Sequence, residues 1–317
     1  MPEPITYAEH ALDVLNHAVG LQEAGRDCVL ITSVDIRGGA ARETGSMAVV
    51  GADGAMVGYM SNGCVDRDIQ LQALEAARNG TPQVLRYGEG ASSFDLKLPC
   101  GGSLELLLDP TPDPNHLRAA RDTLAARQSV TMSFDVPERD APVAFRYDPK
   151  TRLVLAGRGA VFRATAHVAH SAGFELVLCS PEDEDLDALA ALPREATHVL
   201  TTPNAAPEFD LDPHCGVLTL FHDHDWEPAL LTAALNTQAS YIGSLGSATT
   251  HAARCDTLRA MGVAEDQIAR LRGPIGLVPA LRQAPAIAIS AIAQVVEAFP
   301  RAIFAADHSE MQKLQKT

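Results

Sequence analysis

The stretch LVLAGRGAVFRATAHVAHSAGFELVLC, residues 153–179, decides the fold of the second half of this chain. It contains an apolar strand, a Gly157-Arg158-Gly159 turn, a helix and a second apolar strand. Strands and helices continue to alternate up to residue 235, which predicts a parallel, doubly wound α/β sheet. The strands are predicted at 153–156, 174–179, 198–200 and 217–220, and the helices at 160–172, 186–192 and 226–235.

The Gly157-Arg158-Gly159 turn lies where a Rossmann-like sheet places its phosphate loop, so Gly157 and Gly159 are candidate cofactor-binding residues. Two features disfavour NAD(P). Phe162 stands where a small residue lets the helix pack close to the strand, and Cys179-Ser180 ends the second strand where an acidic residue would bind a ribose. A sheet that binds no nucleotide is therefore the favoured interpretation, with NAD(P) as the alternative.

His222-Asp223-His224 follows the strand at 217–220, at the carboxyl edge of the predicted sheet, where open α/β folds bind ligands. In an extended chain the two histidines project to the same side, so His222 and His224 are candidates for cofactor contacts. A metal bridged by both histidines is the alternative, and the sequence shows no third ligand for it.

The first half predicts a mixed α+β domain. Thr6-Tyr7-Ala8-Glu9 has the pattern of a capping box and predicts a helix from Ala8 to Gly25. An Asp53-Gly54 turn predicts a hairpin, and Asp113-Pro114 predicts a helix start. The remaining elements are a helix at 65–78 and strands at 28–34, 103–109, 129–134 and 143–146. Asp148-Pro149-Lys150 predicts the boundary between domains 1–148 and 149–317.

Two cysteines lie in glycine-rich turns, Ser61-Asn62-Gly63-Cys64-Val65 and Pro99-Cys100-Gly101-Gly102. Cys64 precedes a predicted helix, whose free N–H groups and dipole stabilise a thiolate, although Asp66 and Asp68 oppose part of that effect. Cys64 and Cys100 are therefore candidate soft metal ligands. The alternative is that both are buried structural cysteines. Cys179, Cys215 and Cys255 have apolar or helical neighbours and are predicted to be packing residues.

Composition excludes several classes of function. The formal net charge of −15 and a pI near 5.1 argue against nonspecific nucleic-acid binding, since no run of Lys or Arg offsets the repulsion. No window approaches a membrane-spanning length, and the N-terminus lacks a signal-peptide pattern. Six cysteines without a CxxC pair indicate reduced thiols. We expect a cytoplasmic protein with neither a nucleic acid nor a membrane as partner.

Several separated motifs, taken together and in order, resemble the XdhC/CoxI-type accessory proteins of xanthine dehydrogenase and related molybdenum hydroxylases. The first half contributes Arg37-Gly38, the run from Ala41 to Met47, and the two cysteine turns. The second half contributes Gly157-Arg158-Gly159, His222-Asp223-His224, Tyr241-Ile242-Gly243-Ser244, Gly246-Ser247 and Gly273-Pro274-Ile275-Gly276-Leu277. The resemblance covers nearly the whole chain.

The resemblance implies a non-catalytic protein that binds molybdenum cofactor, protects it during sulfuration and delivers it to an apo molybdenum hydroxylase such as xanthine dehydrogenase. It also implies a cysteine desulfurase as sulfur donor, and a homodimer. Arg37 and Arg42 would bind the cofactor phosphate, and Cys64 or Cys100 would approach molybdenum or sulfur. The glycines of the same motifs complete the candidate cofactor site: Gly38, Gly45, Gly63, Gly101 and Gly102. The alternative for Arg42 is a surface pair with Glu43.

The chain also departs from the family pattern. Val278-Pro279-Ala280-Leu281-Arg282 replaces the family's Asp-Ile-Gly-Ala-Arg run, so only Arg282 remains. This departure and Phe162 put nucleotide binding by the second domain in doubt. Two other functions stay open, namely an NAD(P)-dependent oxidoreductase that uses the second domain and a structural adaptor in hydroxylase assembly.

Overall fold

A computed structural model describes residues 4–39, 41–88 and 101–299, and the backbone of residues 303–305. These residues form two compact units. One unit holds the described residues up to Pro149 together with the strand at 303–305, and the other holds those from Lys150 to Phe299. The division lies one residue from the predicted boundary. Within the described residues, no helix combines the length and the apolar character that a membrane crossing needs.

The first unit is built on a six-stranded sheet with the order β1-β4-β3-β2-β6-β5. All of its strand pairs are antiparallel except β1 with β4. A second sheet has the order β15-β8-β7. The strands are β1 Ile5–Thr6, β2 Cys28–Arg37, β3 Met47–Gly51, β4 Met56–Gly58, β5 Gln83–Tyr87, β6 Ser103–Asp109, β7 Val130–Phe134, β8 Val143–Tyr147 and β15 Ile303–Ala305, and the helices are α1 Ala11–Glu23, α2 Asp66–Asn79 and α3 Pro114–Ala125.

Alternation along β2 gives the large sheet a core on each face. Cys28, Leu30 and Val34 pack with α1 and α3, whereas Val29 and Ile31 pack with α2. Successive side chains of a strand point to opposite faces, so a strand of this pattern must be covered on both sides. The result is a three-layer first unit, in agreement with the predicted mixed α+β domain.

The second unit is a Rossmann domain with a fully parallel sheet of order β11-β10-β9-β12-β13-β14. The strand order reverses between β9 and β12, which is the switch point of a doubly wound sheet. The strands are β9 Arg152–Gly157, β10 Glu175–Ser180, β11 Ala196–Val199, β12 Cys215–Leu220, β13 Tyr241–Ser244 and β14 Leu271–Arg272. The helices are α4 Gly159–Ser171, α5 Asp183–Ala188, α6 Glu227–Leu235, α7 Ala248–Ala260, α8 Glu265–Ile268 and α9 Ala284–Ala298, with a 3-10 turn at His224–Trp226.

The predicted capping box at the N-terminus is wrong. Thr6 pairs with Val57 as part of β1, and α1 begins only at Ala11. His10 caps the helix, because its Nδ1 accepts a hydrogen bond from the N–H of Leu12 at 3.1 Å. Glu9 is thereby left outside the helix, and it contributes instead to a cluster described below.

The strand at 303–305 corrects the predicted extent of the second domain. Its backbone pairs antiparallel with β8, so it belongs to the first unit, whereas the sequence assigned all of 149–317 to the second. A three-residue apolar segment carries no local signal for which sheet edge it will extend. The strands β1 and β5 were also missed, because each is short and lacks a strong alternation.

Candidate functional site

The Cys64 turn is held in place by the carboxylate of Asp66. This carboxylate is buried and accepts hydrogen bonds from the backbone N–H groups of Met60, Ser61 and Gly63, at 2.8, 2.9 and 2.6 Å. The Ser61 hydroxyl also accepts from the N–H of Val65 at 2.8 Å. Cys64 itself is exposed and lies two residues before the start of α2. The turn therefore presents a thiol at a helix N-terminus, as predicted.

The other described cysteines are buried, which distinguishes Cys64 from them. Cys28, Cys179, Cys215 and Cys255 lie in the cores. Burial raises the pKa of the Cys28 thiol to about 11 and that of Cys179 to about 12. These thiols stay protonated and inaccessible at neutral pH. Cys100, the second predicted soft ligand, lies outside the described residues.

The Arg37-Gly38 loop and the Gly101-Gly102 turn are in backbone contact, although 64 residues separate Gly38 from Gly102. Arg37 pairs with Ser103 at the end of the β2–β6 ladder. A Cβ atom on Gly38 would lie 3.2 Å from the Cα of Gly102, and one on Gly102 would lie 2.8 Å from the carbonyl oxygen of Arg37. Gly38 also has a φ of +73°. Only glycine fits this close approach, which brings two predicted motifs together.

The two predicted arginines differ in their surroundings. The Arg37 side chain is 81% exposed and forms a 3.0 Å contact with Asp35. The Arg42 side chain is only 6% exposed and pairs with the carboxylate of Glu9. Its guanidinium lies 4.5 Å from the ring centroid of Tyr59, and the Tyr59 hydroxyl donates to the same carboxylate. Arg42 is thus held within the protein by Glu9, whereas the Arg37 guanidinium is open to solvent.

Two predicted glycines use their backbone groups inside the protein. The N–H of Gly45 donates to the carbonyl of Ser33 at 2.7 Å, and its carbonyl accepts from the Tyr147 hydroxyl at 2.8 Å. The N–H of Gly63 is bound by Asp66. Both glycines shape the turns around the site, and these particular groups are not offered to a ligand.

In the second unit, a carboxylate of the chain caps the predicted phosphate loop. The N–H of Gly159, at the start of α4, donates to Asp185 Oδ2 at 2.7 Å, and Arg163 pairs with the same carboxylate. Arg158 reaches across the switch point to Glu182 and Asp223, at 3.3 Å each. The pyrophosphate of a dinucleotide would need this N–H group and would meet three carboxylates.

His222 and His224 are both exposed, and only His224 is tied to the protein by a described contact. Its Nδ1 lies 3.0 Å from Oε2 of Glu227, which is fully buried and bound to Arg254. The described residues contain no group of three side chains able to hold a metal ion. The geometry therefore places the two histidines at the carboxyl edge of the sheet without supplying a third ligand.

Comparison with known proteins gives matches over both units. Residues 153–295 match the XdhC Rossmann domain, and residues 21–88 match the XdhC and CoxI family. The molybdenum cofactor insertion chaperone PaoD of Escherichia coli (strain K12) is 30% identical over 309 residues, which cover 93% of this chain and 90% of PaoD. The chain belongs to the XdhC and CoxI family.

Other members and neighbours of the XdhC and CoxI family extend this comparison. A protein of Bacillus subtilis (strain 168), described as one of the probable subunits of xanthine dehydrogenase, is 21% identical over 321 residues, 87% of this chain and 94% of that protein. A crystal structure described as a xanthine dehydrogenase from Bacillus halodurans superposes with a TM-score of 0.73. It is 22% identical and covers 91% of this chain and 95% of its own, so it shows the shared fold.

Sequence reasoning about this XdhC/CoxI chain missed the residues that hold the site in place. Asp66 was considered only for its charge, Glu9 was placed in a helix cap, and Asp185 and Glu227 were not considered. A carboxylate two residues after a glycine-rich turn is a signal that could have identified Asp66. No sequence signal connects Glu9 with Arg42 or Asp185 with Gly159, because each contact depends on the tertiary fold.

Proposed function

We propose that this protein is a molybdenum cofactor insertion chaperone that serves an apo molybdenum hydroxylase, xanthine dehydrogenase or a relative of it. The similarity to PaoD over 93% of the chain is the observation that carries the proposal, because it includes both units and the cysteine turns. The protein binds the cofactor as cargo, protects it while its sulfido ligand is installed, and releases it to the hydroxylase. A cysteine desulfurase would supply the sulfur.

The first unit offers the chemistry that this cargo requires. An exposed thiol is a soft ligand suited to molybdenum or to its terminal sulfur, and Cys64 provides it on a fixed turn. A phosphate is bound best by a guanidinium, and Arg37 is open to solvent beside Gly38. Arg42 is assigned to positioning, since Glu9 already occupies its guanidinium. The Gly38 and Gly102 contact fixes the loops that carry these groups.

The test is anaerobic equilibrium binding of molybdenum cofactor to the full chain, scored as retained pterin and molybdenum after gel filtration. We expect Cys64→Ser to lower retention at least about tenfold, the loss of one strong ligand. The matched control is Asn62→Gly, which changes the same turn at a φ of +54°, favours that conformation and keeps the thiol. Equal retention in wild type and Cys64→Ser would contradict the role of Cys64.

A second arm tests Arg37 against another exposed arginine. Arg37→Ala should reduce retention of the cofactor, whereas Arg26→Ala, which removes a comparable surface pair with Asp53, should leave retention unchanged. If neither cofactor nor apo-hydroxylase binds the wild-type protein, the chaperone proposal fails. If the protein activates the apo-hydroxylase without binding cofactor, the protein is a structural adaptor.

The oxidoreductase alternative has no support in the geometry of the second unit. The Gly159 N–H is bound to Asp185, and Glu182, Asp223 and Asp185 surround the turn that would hold the pyrophosphate. We expect no saturable change in NADH or NADPH fluorescence on titration with the protein. Saturable binding would revive the dehydrogenase interpretation.

A further inference from the structure

A cavity in the second unit has no part in the proposed cofactor site. It has a volume of about 350 Å³ and lies between the start of α6 and the first three turns of α7. Both helices follow strands of the parallel sheet, so the cavity is at the carboxyl edge beyond β12 and β13. Its lining combines hydroxyls, a histidine and a buried ion pair with a few apolar side chains: His224, Glu227, Pro228, Thr249, Thr250, Ala253, Arg254, Thr257 and Leu258.

The central cation of this cavity has an unused donor. The Arg254 side chain is 4% exposed, and its Nε and Nη2 donate to Glu227 at 2.9 and 3.1 Å. Nη2 also donates to the carbonyl of Leu245 at 2.7 Å. Nη1 is buried and has no hydrogen-bond partner in the described part of the chain. A buried donor without a partner is uncommon in a folded protein, because its desolvation is not compensated.

Glu227 does not compete for a ligand in this cavity, because its oxygens already accept from several donors. Oε1 accepts from Thr219 and Arg254, and Oε2 accepts from Arg254 and contacts His224 Nδ1 at 3.0 Å. The carboxylate neutralises the guanidinium, so the pair carries no net charge. The donors that remain toward the cavity are the Arg254 Nη1 group and the threonine hydroxyls.

The guanidinium also lies at the positive end of α7. Side chains on a helix point toward its N-terminus, and Arg254 Nη2 bonds to Leu245, two residues before the Ser247 cap. Thr249 and Thr250 belong to the first turn of this 13-residue helix. The orphan N–H groups and the dipole of a helix N-terminus favour anions. An unpaired guanidinium donor and a helix N-terminus thus meet in one cavity.

We propose that this cavity binds a small organic phosphate monoester, with its phosphate at Arg254 Nη1 and the first turn of α7. A phosphate offers several acceptor oxygens to the several donors present, and the volume exceeds what a phosphate ion fills, so an organic group is part of the ligand. Pro228, Ala253 and Leu258 supply apolar contacts for that group. The site stands independently of the proposed chaperone function.

The test is isothermal titration of the cofactor-free full chain with glycerol 3-phosphate, inorganic phosphate and glycerol. We expect glycerol 3-phosphate to bind about tenfold more tightly than inorganic phosphate, and glycerol not to bind. Thr249→Val removes an exposed hydroxyl from the lining and should weaken binding about fivefold, while Thr123→Val on α3 should have no effect. Absence of binding, or equal affinity for both phosphates, would overturn the proposal.

A second pair of variants separates ligand recognition from folding. The double variant Glu227→Gln with Arg254→Gln keeps the buried pair neutral and should abolish phosphate binding. His224→Gln changes an exposed residue of the same lining and keeps the fold if the double variant does not. Unchanged affinity in both the Thr249 and the His224 variants would show that the phosphate binds elsewhere. No molybdenum is present in this assay, so its failure would not bear on the chaperone proposal.

Discussion

At the scale of single residues, one buried carboxylate determines the shape of the Cys64 turn. Asp66 bonds to three backbone N–H groups that precede it, and nothing cationic in the described contacts neutralises it. Hydrogen bonds to a charged acceptor are stronger than neutral ones, and each buried N–H left without a partner costs free energy. The position of the thiol therefore depends on Asp66.

We expect Asp66→Ala to lower the free energy of unfolding by about 3 kcal/mol, because three buried N–H groups lose their acceptor. Urea unfolding followed by circular dichroism measures the change. Glu75→Ala, an exposed carboxylate on the same helix, is the matched control and should change stability by less than about 0.5 kcal/mol. Equal effects of the two substitutions would show that Asp66 does not hold the turn.

Cys64 should also react first with thiol reagents. Among the cysteines that the structure describes, it alone is exposed, and the other four are buried. Brief alkylation with iodoacetamide followed by peptide mass spectrometry should modify Cys64 well before Cys28 or Cys179. Cys64→Ser should remove this early product. Faster labelling of a core cysteine would contradict the arrangement described.

The candidate residues were predictable from sequence better than their partners. Cys64 was placed correctly at a helix N-terminus, because a glycine-rich turn before an amphipathic segment is a local pattern. The partner of Arg42 was expected to be Glu43 if Arg42 did not bind ligand, yet its carboxylate partner is Glu9, 33 residues earlier in the sequence. A contact across that separation depends on the sheet, and the sequence alone does not specify it.

At the scale of elements, the start of α4 has become a structural junction. Asp185 from α5 bonds to the Gly159 N–H and to Arg163, so it joins α5 to the first turns of α4. A helix N-terminus favours an anion whether it comes from a ligand or from the chain. In this Rossmann domain the chain supplies it.

Asp185→Ala should therefore destabilise the protein by about 2 kcal/mol, since the Gly159 N–H and Arg163 lose an acceptor. Chemical denaturation of the full chain is the measurement. Asp187→Ala on the same short helix is exposed and serves as control, with an expected change below about 0.5 kcal/mol. A neutral effect of the Asp185 substitution would mean that the capping contact contributes nothing.

Elements with strong local patterns were predicted well. The strand Ser103–Asp109 and the helix start at Asp113-Pro114 match the structure, because a run of leucines and a capped proline are local signals. Helix α1 was misplaced because Thr6 and Glu9 satisfy a capping pattern that strand pairing of Thr6 overrides. Phe162, expected to hinder helix packing, is accommodated in the core of the second unit.

At the scale of the whole molecule, buried acids set the alkaline limit of stability. Burial raises the pKa of the Cys179 thiol from 9.0 to about 12 and that of Cys28 to about 11, so the folded protein retains protons that the unfolded chain would release. The stabilising effect of such groups is complete below pH 9 and is lost as the pH rises toward their folded pKa values. Both units contain a group of this kind.

The free energy of unfolding should fall above pH 9, with Cys179 contributing about 1 kcal/mol per pH unit. Cys179→Ala removes this contribution, so its stability should decline less steeply between pH 9 and 11 than that of the wild type. The comparison uses urea titrations under reducing conditions at each pH. Parallel declines in the two proteins would exclude Cys179 as a source of the alkaline loss.

The exposure of Cys64 affects how the protein must be handled and how its assembly is interpreted. In air, a thiol on the surface of one molecule can be oxidised to a disulfide with the same thiol of another, whereas the buried thiols cannot meet. A dimer isolated without reductant would then be a product of oxidation. The homodimer that we expect from the family is to be sought in reduced protein, where only noncovalent association persists.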